Sequence, residues 1–258
     1  MTRRRWIADE VSGNTAALIG EHAEHLAVVL RAQPGQRFDV AVAGVLRAAR
    51  VVSVSPNRVE FELGQELRAP SLVKLTLLLA VYKFDRMEWA IEKCVELGVA
   101  RVVPVLARRT DAHLARAAEA RVDRWRRLAL QASEQARRTV PAAVEAPEKL
   151  KQAVLRTAAT RILLAETEEQ KSLKEALQTH TSQTRCLPHS IAQNAIEWGT
   201  HDADDELLLA VGPEGGWTED ELTLFSEAGW ISASLGPTIL RAETAAIAAT
   251  AIAFSELA

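Results

Sequence analysis

A chain of 258 residues, 48% hydrophobic and 25% charged, can build one large domain, or a medium domain with a small companion, around a real core. Its formal net charge of −3 excludes a globally basic nucleic-acid binder, so any RNA or DNA contact needs a local basic patch. Two distant cysteines, Cys94 and Cys186, exclude a disulfide framework and a CxxC zinc site and fit a reducing cytoplasm, and no apolar run approaches the roughly 20 residues of a membrane span.

The opening MTRRRWIADE is basic but lacks the apolar centre of a signal peptide. HAEHLAVVLRAQPGQ (22–36) reads as a short helix closed by Pro34 and Gly35. Residues 36–63 read as strands. In the last of them Val59, Phe61 and Leu63 face one way and Arg58, Glu60 and Glu62 the other, a half-buried antiparallel pattern. Residues 1–70 are therefore expected to form a small β-barrel, with Pro70 in LRAPS at the junction to a second domain, 73–258.

Beyond the junction the rhythm changes. VKLTLLLAVY (73–82) is a nearly continuous apolar run, as in a strand buried on both faces. A helix is predicted over 85–97, with Met87, Ile91, Cys94 and Val95 on one face and Gly98 as its stop. A buried strand follows at 101–107 and a long helix at 118–138. Strands at 161–166 and 206–211, a helix at 218–229, a strand at 232–236 and a helix at 242–257 complete the chain. This alternation predicts a parallel α/β sheet. Residues 178–205 are polar and aperiodic and read as a long surface loop inserted between two core strands.

The stretch LLLAVGPEGGWTEDEL (207–222) runs a buried strand straight into a loop with three glycines, a proline and a carboxylate. Ligands in open α/β sheets sit beyond the carboxyl ends of strands, where this loop lies. Thr218 and Glu221 have the spacing of a capping box for the next helix. Glu214 and the absence of a following Lys exclude a phosphate-cradling Walker loop and favour a cationic or hydrogen-bond-donating ligand. The plainer alternative is a tight strand-to-helix turn with no ligand. SLGPTILRAETAAIAA (234–249) again takes a strand into a helix through Gly236 and Pro237, with Arg241, Glu243 and Thr244 clustered at the helix start. A third strand ends at Leu164, before Ala165 and Glu166, so three loops can converge on one pocket.

These strings carry a likeness. GPEGGWTEDEL with LGPTILRAETAAI resembles the ribosomal RNA small subunit methyltransferase E family. So do KFDRMEWAIEKCVELGVARVVPVLARRT (83–110), RWRRLALQASEQARRTVPAAVEAP (124–147) and the opening RRRWIADE with HLAVVLRAQPGQ. Phe84 departs from the family pattern, where a Gly is common. The resemblance implies a SPOUT-type parallel sheet with a C-terminal trefoil knot, preceded by a PUA-like β-barrel. It further implies a cytoplasmic homodimer using S-adenosylmethionine, without metal or membrane, to methylate N3 of a uridine in 16S rRNA of the small ribosomal subunit.

By the same resemblance, the cofactor would be held by Leu164, Ala165 and Glu166, by Val211, Gly212, Pro213, Glu214, Gly215 and Gly216, and by Leu235, Gly236, Leu240, Thr244 and Ala245. Arg241 would stabilise charge developing on the uracil carbonyls, with Arg4 or Arg5 second in line. Glu243 would orient Arg241 or accept the N3 proton; alternatively it stabilises the start of its helix. Arg3, Arg4, Arg5, Arg31, Arg137 and Arg138 would contact RNA phosphates, while Trp125 is expected in the core. The other basic residues of the 118–138 helix read as a solvated face with Glu119, Asp123 and Glu134. His22 and His25 lack a third metal ligand. Rival readings are a related enzyme with another RNA target, a non-catalytic RNA-binding module and a nucleotide-phosphate enzyme.

Overall fold

The structure is a computed structural model that describes residues 5–67, 73–184 and 206–257. It divides into two compact units: Met1–Ser71 with Ser133–Pro141, and Leu72–Ala132 with Ala142–Ala258.

The first unit is built on a six-stranded mixed sheet. Its strands are β1 (Arg5–Ile7), β2 (Glu10–Ser12), β3 (Thr15–Ile19), β4 (Arg37–Val42), β5 (Val45–Ser55) and β6 (Arg58–Leu67), in the order β1-β4-β5-β6-β3-β2. Only β1 and β4 run parallel. The alternation in β6 buries Val59, Phe61 and Leu63 with Leu18, Val40 and Val51, and leaves Arg58 and Glu62 exposed. Arg50 sits directly opposite Glu62 and pairs with it at 2.7 Å. The helix expected over 22–36 is shorter and of two kinds. After α1 (Gly20–Glu24) the chain widens into a π-helical turn, His25–Val29, in which Leu30 N–H reaches His25 O. Strands β1 to β3 were not anticipated; at three to five residues they are too short to show alternation.

The second unit has a parallel sheet. In chain order it comprises β7 (Lys74–Ala80), α2 (Phe84–Leu97), β8 (Arg101–Leu106), α3 (Ala112–Gln135), β9 (Ala143–Val144), β10 (Glu148–Lys149), α4 (Leu150–Ala153), β11 (Thr160–Leu164), α5 (Leu173–Thr184), β12 (Glu206–Val211), α6 (Glu219–Glu227), β13 (Ile231–Ala233) and α7 (Ala242–Leu257). The strand order is β10-β8-β7-β12-β11-β13, with β9 also on β8. Every pairing is parallel. β7 and β12 lie side by side in the middle, Leu77 opposite Leu209, which accounts for their unbroken apolar runs.

Helix α2 buries Met87, Ile91, Cys94 and Val95, and Gly98 closes it by donating to Cys94 O and Val95 O. Phe84 meets Trp125 edge-on in the core, and the Arg121 guanidinium lies 4.9 Å over its ring. Thus the position that departs from the family pattern is filled by packing. Helix α3 starts before the expected 118 because the Asp111 carboxylate accepts from His113 N–H at 2.7 Å, an N-cap. It stops at Gln135, where Arg137 adopts φ 57°. The expected loop over 178–205 begins instead as the end of α5. Ser172 and Glu175 cap that helix reciprocally, and Leu173, Ala176 and Leu177 face the core. Residues 185–205, and Cys186 with them, lie outside the described residues.

Candidate active site

In a parallel sheet all strands end at one edge, and the chemistry of this chain gathers there. The ends of β11, β12 and β13, at Leu164, Val211 and Ala233, open into three loops that line one cleft. Leu164, Ala165 and Glu166 form one wall, and Val211 through Gly216 form the second. Leu235, Gly236 and Leu240, with Ala245 from the start of α7, complete it. Thirteen of the expected cofactor positions therefore converge; Thr244 does not. It turns to a separate groove between α2 and α7, beside Trp89, Leu97 and Ile247.

The 212–217 loop is heavily braced. Gly216 donates to Pro213 O at 2.8 Å and needs glycine for its φ of 68°. At Gly212 a Cβ would sit 3.1 Å from Trp217 Nε1, so any side chain there would push the indole aside by a few tenths of an ångström. That indole donates to Leu164 O at 3.0 Å, tying the β12 loop to the end of β11. Trp217 also packs edge-on against Phe225, which packs in turn against Trp230. Arg109, which follows β8, donates through Nη1 to Gly215 O and, at 3.2 Å, to Trp217 O. The capping box forms as the spacing predicts: Thr218 Oγ1 accepts from Glu221 N–H, and the Glu221 carboxylate accepts from Thr218 N–H. Glu221 Oε1 also accepts from Arg108 N–H at 2.6 Å.

Two carboxylates, Glu166 and Glu214, line the cleft, and the lining guanidinium, Arg109, is engaged by backbone carbonyls. The lining therefore offers a phosphate no unengaged guanidinium. Beside the cleft, in the first turn of α2, Arg86 Nη1 lies 3.2 Å from Glu214 Oε1 and 3.8 Å from Glu243 Oε1. Glu243, in the first turn of α7, is only 5% exposed. The nearby Tyr82 hydroxyl is buried, and its pKa is pushed upward, first by burial and then by the charges of Cys94, Glu243 and Glu214. Burial likewise pushes the Cys94 thiol up to about 12, which removes it as a nucleophile.

Arg241 is exposed and outside the cleft lining; its backbone carbonyl accepts from Ala245 N–H at 2.8 Å. Arg5, Arg31, Arg137 and Arg138 all belong to the first unit. Arg5 donates to the carbonyl of Arg137, Arg31 is exposed, and Arg138 is held below the usual guanidinium range by burial. Arg3 and Arg4 lie outside the described residues. His22 bridges Asp9 and Glu134, at 3.0 and 2.9 Å. Among the described residues no cluster of His, Cys, Asp and Glu could hold a metal, and no helix is long and apolar enough to cross a membrane. Arg86, Arg109 and Trp217 are the site residues that sequence reasoning left without a role. Arg86 and Arg109 both lie within the 83–110 string, just beyond strand ends, which was the available signal.

The RNA methyltransferase domain model matches residues 69–254. The ribosomal RNA small subunit methyltransferase E of Synechocystis sp. is 31% identical over 247 residues, 94% of this chain and 74% of that protein. Its counterpart in Mycobacterium bovis is also 31% identical, over 92% of this chain and 85% of that protein. Among solved structures, the ribosomal RNA small subunit methyltransferase E of Neisseria gonorrhoeae, bound to S-adenosyl methionine, aligns with a TM-score of 0.73 at 26% identity, covering 97% and 96% of the two chains. A putative methyltransferase from Legionella pneumophila, in complex with the same cofactor, aligns at 0.75 with 25% identity over 99% and 98%. With a glycine-braced cleft at the strand ends and likeness over nearly its full length, the chain belongs to the ribosomal RNA small subunit methyltransferase E family of RNA methyltransferases.

Proposed function

We propose that this RNA methyltransferase uses S-adenosylmethionine to methylate N3 of a specific uridine in 16S rRNA of the small ribosomal subunit. The observation that carries the reading is the acid-lined cleft: Glu166 and Glu214 face a pocket whose lining guanidinium is already engaged. That lining tolerates a sulfonium and offers a triphosphate no unengaged cation. Backbone groups of Val211, Gly212, Gly215 and Gly216, with Leu235, Gly236 and Leu240, all on the cleft lining, hold the adenosine and methionine parts. The cofactor, when bound, supplies the methyl group.

The chain's own residues do the rest. The braced 212–217 loop fixes one reactant, and holding both reactants in near-attack geometry is worth about 7–11 kcal/mol in well-oriented systems. Glu243 receives the proton that N3 must lose. Arg241, exposed on the 234–241 stretch, stabilises the negative charge that spreads onto the uracil carbonyls, with Arg5 as the second candidate. The first unit acts as a PUA-like RNA-binding barrel, and Arg3, Arg4, Arg31, Arg137 and Arg138 supply phosphate contacts whose strength falls with salt. The last strands and α7 form the trefoil knot. A second copy covers the groove between α2 and α7, where Trp89 is 51% exposed beside Leu97 and Ile247, giving a cytoplasmic homodimer.

Two measurements test this. Calorimetric titration should give one cofactor site per chain. Deleting the gene should remove one N3-methyluridine from 16S rRNA, and an unchanged modification map would eliminate the target.

A further inference from the structure

Beside the cleft, and joined to its lining through Glu214, lies an arrangement that methyl-donor binding alone does not require. One nitrogen, Arg86 Nη1, is shared between Glu214 Oε1 and Glu243 Oε1, at 3.2 and 3.8 Å. The three residues come from three elements: the first turn of α2, the loop after β12 and the first turn of α7. Arg86 makes no other side-chain pairing among the described residues. Glu243 is the most buried member, and its Oε2 has no hydrogen-bond partner. A buried carboxylate oxygen without a donor is costly, and such an atom calls for a use. Arg86 is the cation that pairs with Glu243, and the Tyr82 hydroxyl, just after β7, lies in the field of both, together with Glu214 and Cys94. Arg241, the partner the sequence offered for Glu243, is exposed and makes no such pairing.

We propose that Arg86 is a positioning residue for proton removal: it engages Glu243 through Oε1, leaves Oε2 without a donor, and ties that acceptor to the cofactor loop through Glu214. The inference rests on the N3-methylation reading above. In the step, the N3–H bond breaks and its proton moves to Glu243 Oε2. The electron pair left on N3 forms the new bond to the methyl carbon while the old bond to sulfur breaks toward sulfur. The proton passes from Glu243 to water as product leaves. The link through Glu214 sets the acceptor in register with the loop that seats the donor, which a lone carboxylate could not do.

The test uses the full chain with R86Q, R86K, E243Q and the double variant R86Q/E243Q. The first readout needs no ligand: unfolding midpoints at pH 5.5 and pH 8. Without Arg86 a buried carboxylate has lost its cation, a cost that grows with pH as carboxylates in general ionise. The R86Q deficit should therefore be larger at pH 8 than at pH 5.5, and should shrink at least twofold in the E243Q background. In turnover, R86Q should lower kcat tenfold or more near neutral pH and move the acid limb of the rate profile to higher pH. KM and the calorimetric Kd for S-adenosylmethionine should stay within about threefold of wild type. R86K should restore the position of the acid limb. An R86Q deficit equal at both pH values and unaltered by E243Q would overturn the proposal, as would an unmoved acid limb. A loss of cofactor affinity in proportion to kcat would reduce Arg86 to a brace of the loop. If the wild type placed no methyl on N3, the methylation reading would fall; pH-dependent coupling of Arg86 and Glu243 surviving in the unfolding data would locate the fault there and not in the pair.

Discussion

The two long loops that face the cleft are built in opposite ways. Residues 212–217 are held by the Gly216–Pro213 turn, the Trp217 indole on Leu164, two bonds from Arg109 and the Arg86–Glu214 pair. Residues 235–241 have little beyond the reciprocal bonds of Ser234 and Gly236, and Ile239 stands 82% exposed at the cleft. One loop is tied at several points to its surroundings; the other has few such ties. A preorganised wall reduces the ordering cost of binding, whereas a loose one lets a large substrate reach the same pocket.

The contrast can be broken hardest at Trp217. Trp217→Ala removes a buried indole and the tie to Leu164, and should cost about 3–5 kcal/mol in urea unfolding together with measurable cofactor binding. Trp217→Phe keeps the packing and should cost only about 1 kcal/mol, the worth of one hydrogen bond. Next comes Arg109→Ala, which frees two carbonyls of the braced loop. Calorimetry should show cofactor affinity falling about tenfold or more, equivalent to about 1.4 kcal/mol, with the unfolding midpoint little changed.

A third brace, in the first unit, is sensitive to pH. His22 is raised to about 9, chiefly by its bond to Glu134, against burial, which pulls the other way, and with help from Asp9. A raised folded value means that its contribution is complete below the ordinary imidazole range near 6.5 and is lost as pH climbs through about 9. After solvent screening it should amount to about 1 kcal/mol. Unfolding curves from pH 6 to 10 should show this loss in the wild type and a flatter profile in His22→Gln. The smallest effect belongs to the free loop: Ile239→Ala should change stability by less than about 0.5 kcal/mol, as exposed substitutions do. A larger change would show that this loop, too, is held.

Much of this was readable in the sequence because the signals are local. The Gly-Pro-Glu-Gly-Gly string, the Thr218 and Glu221 spacing and the face of α2 each occupy fewer than four turns of chain, and each appears as read. The Ser172 and Glu175 pair carried the same capping signal for α5, and the polarity around it hid the helix. Other features were not legible. The widened turn at His25–Val29 has no compositional mark, and β9 and β10, two residues each, are defined only by their neighbour β8. The grouping of Arg86 with Glu214 and Glu243 arises only when β7 and β12 lie together, a pairing no spacing rule contains.

That central pairing also bears on how the molecule is made. Thr76 of β7 meets Glu206 at the start of β12, 130 positions further along, so most of the chain must leave the ribosome before the middle of the sheet can close. Until then β7 has β8 alone beside it, with an apolar edge open to solvent. Such remote contacts slow folding and lengthen exposure to aggregation, so the yield of active protein should depend on synthesis rate and on chaperone supply.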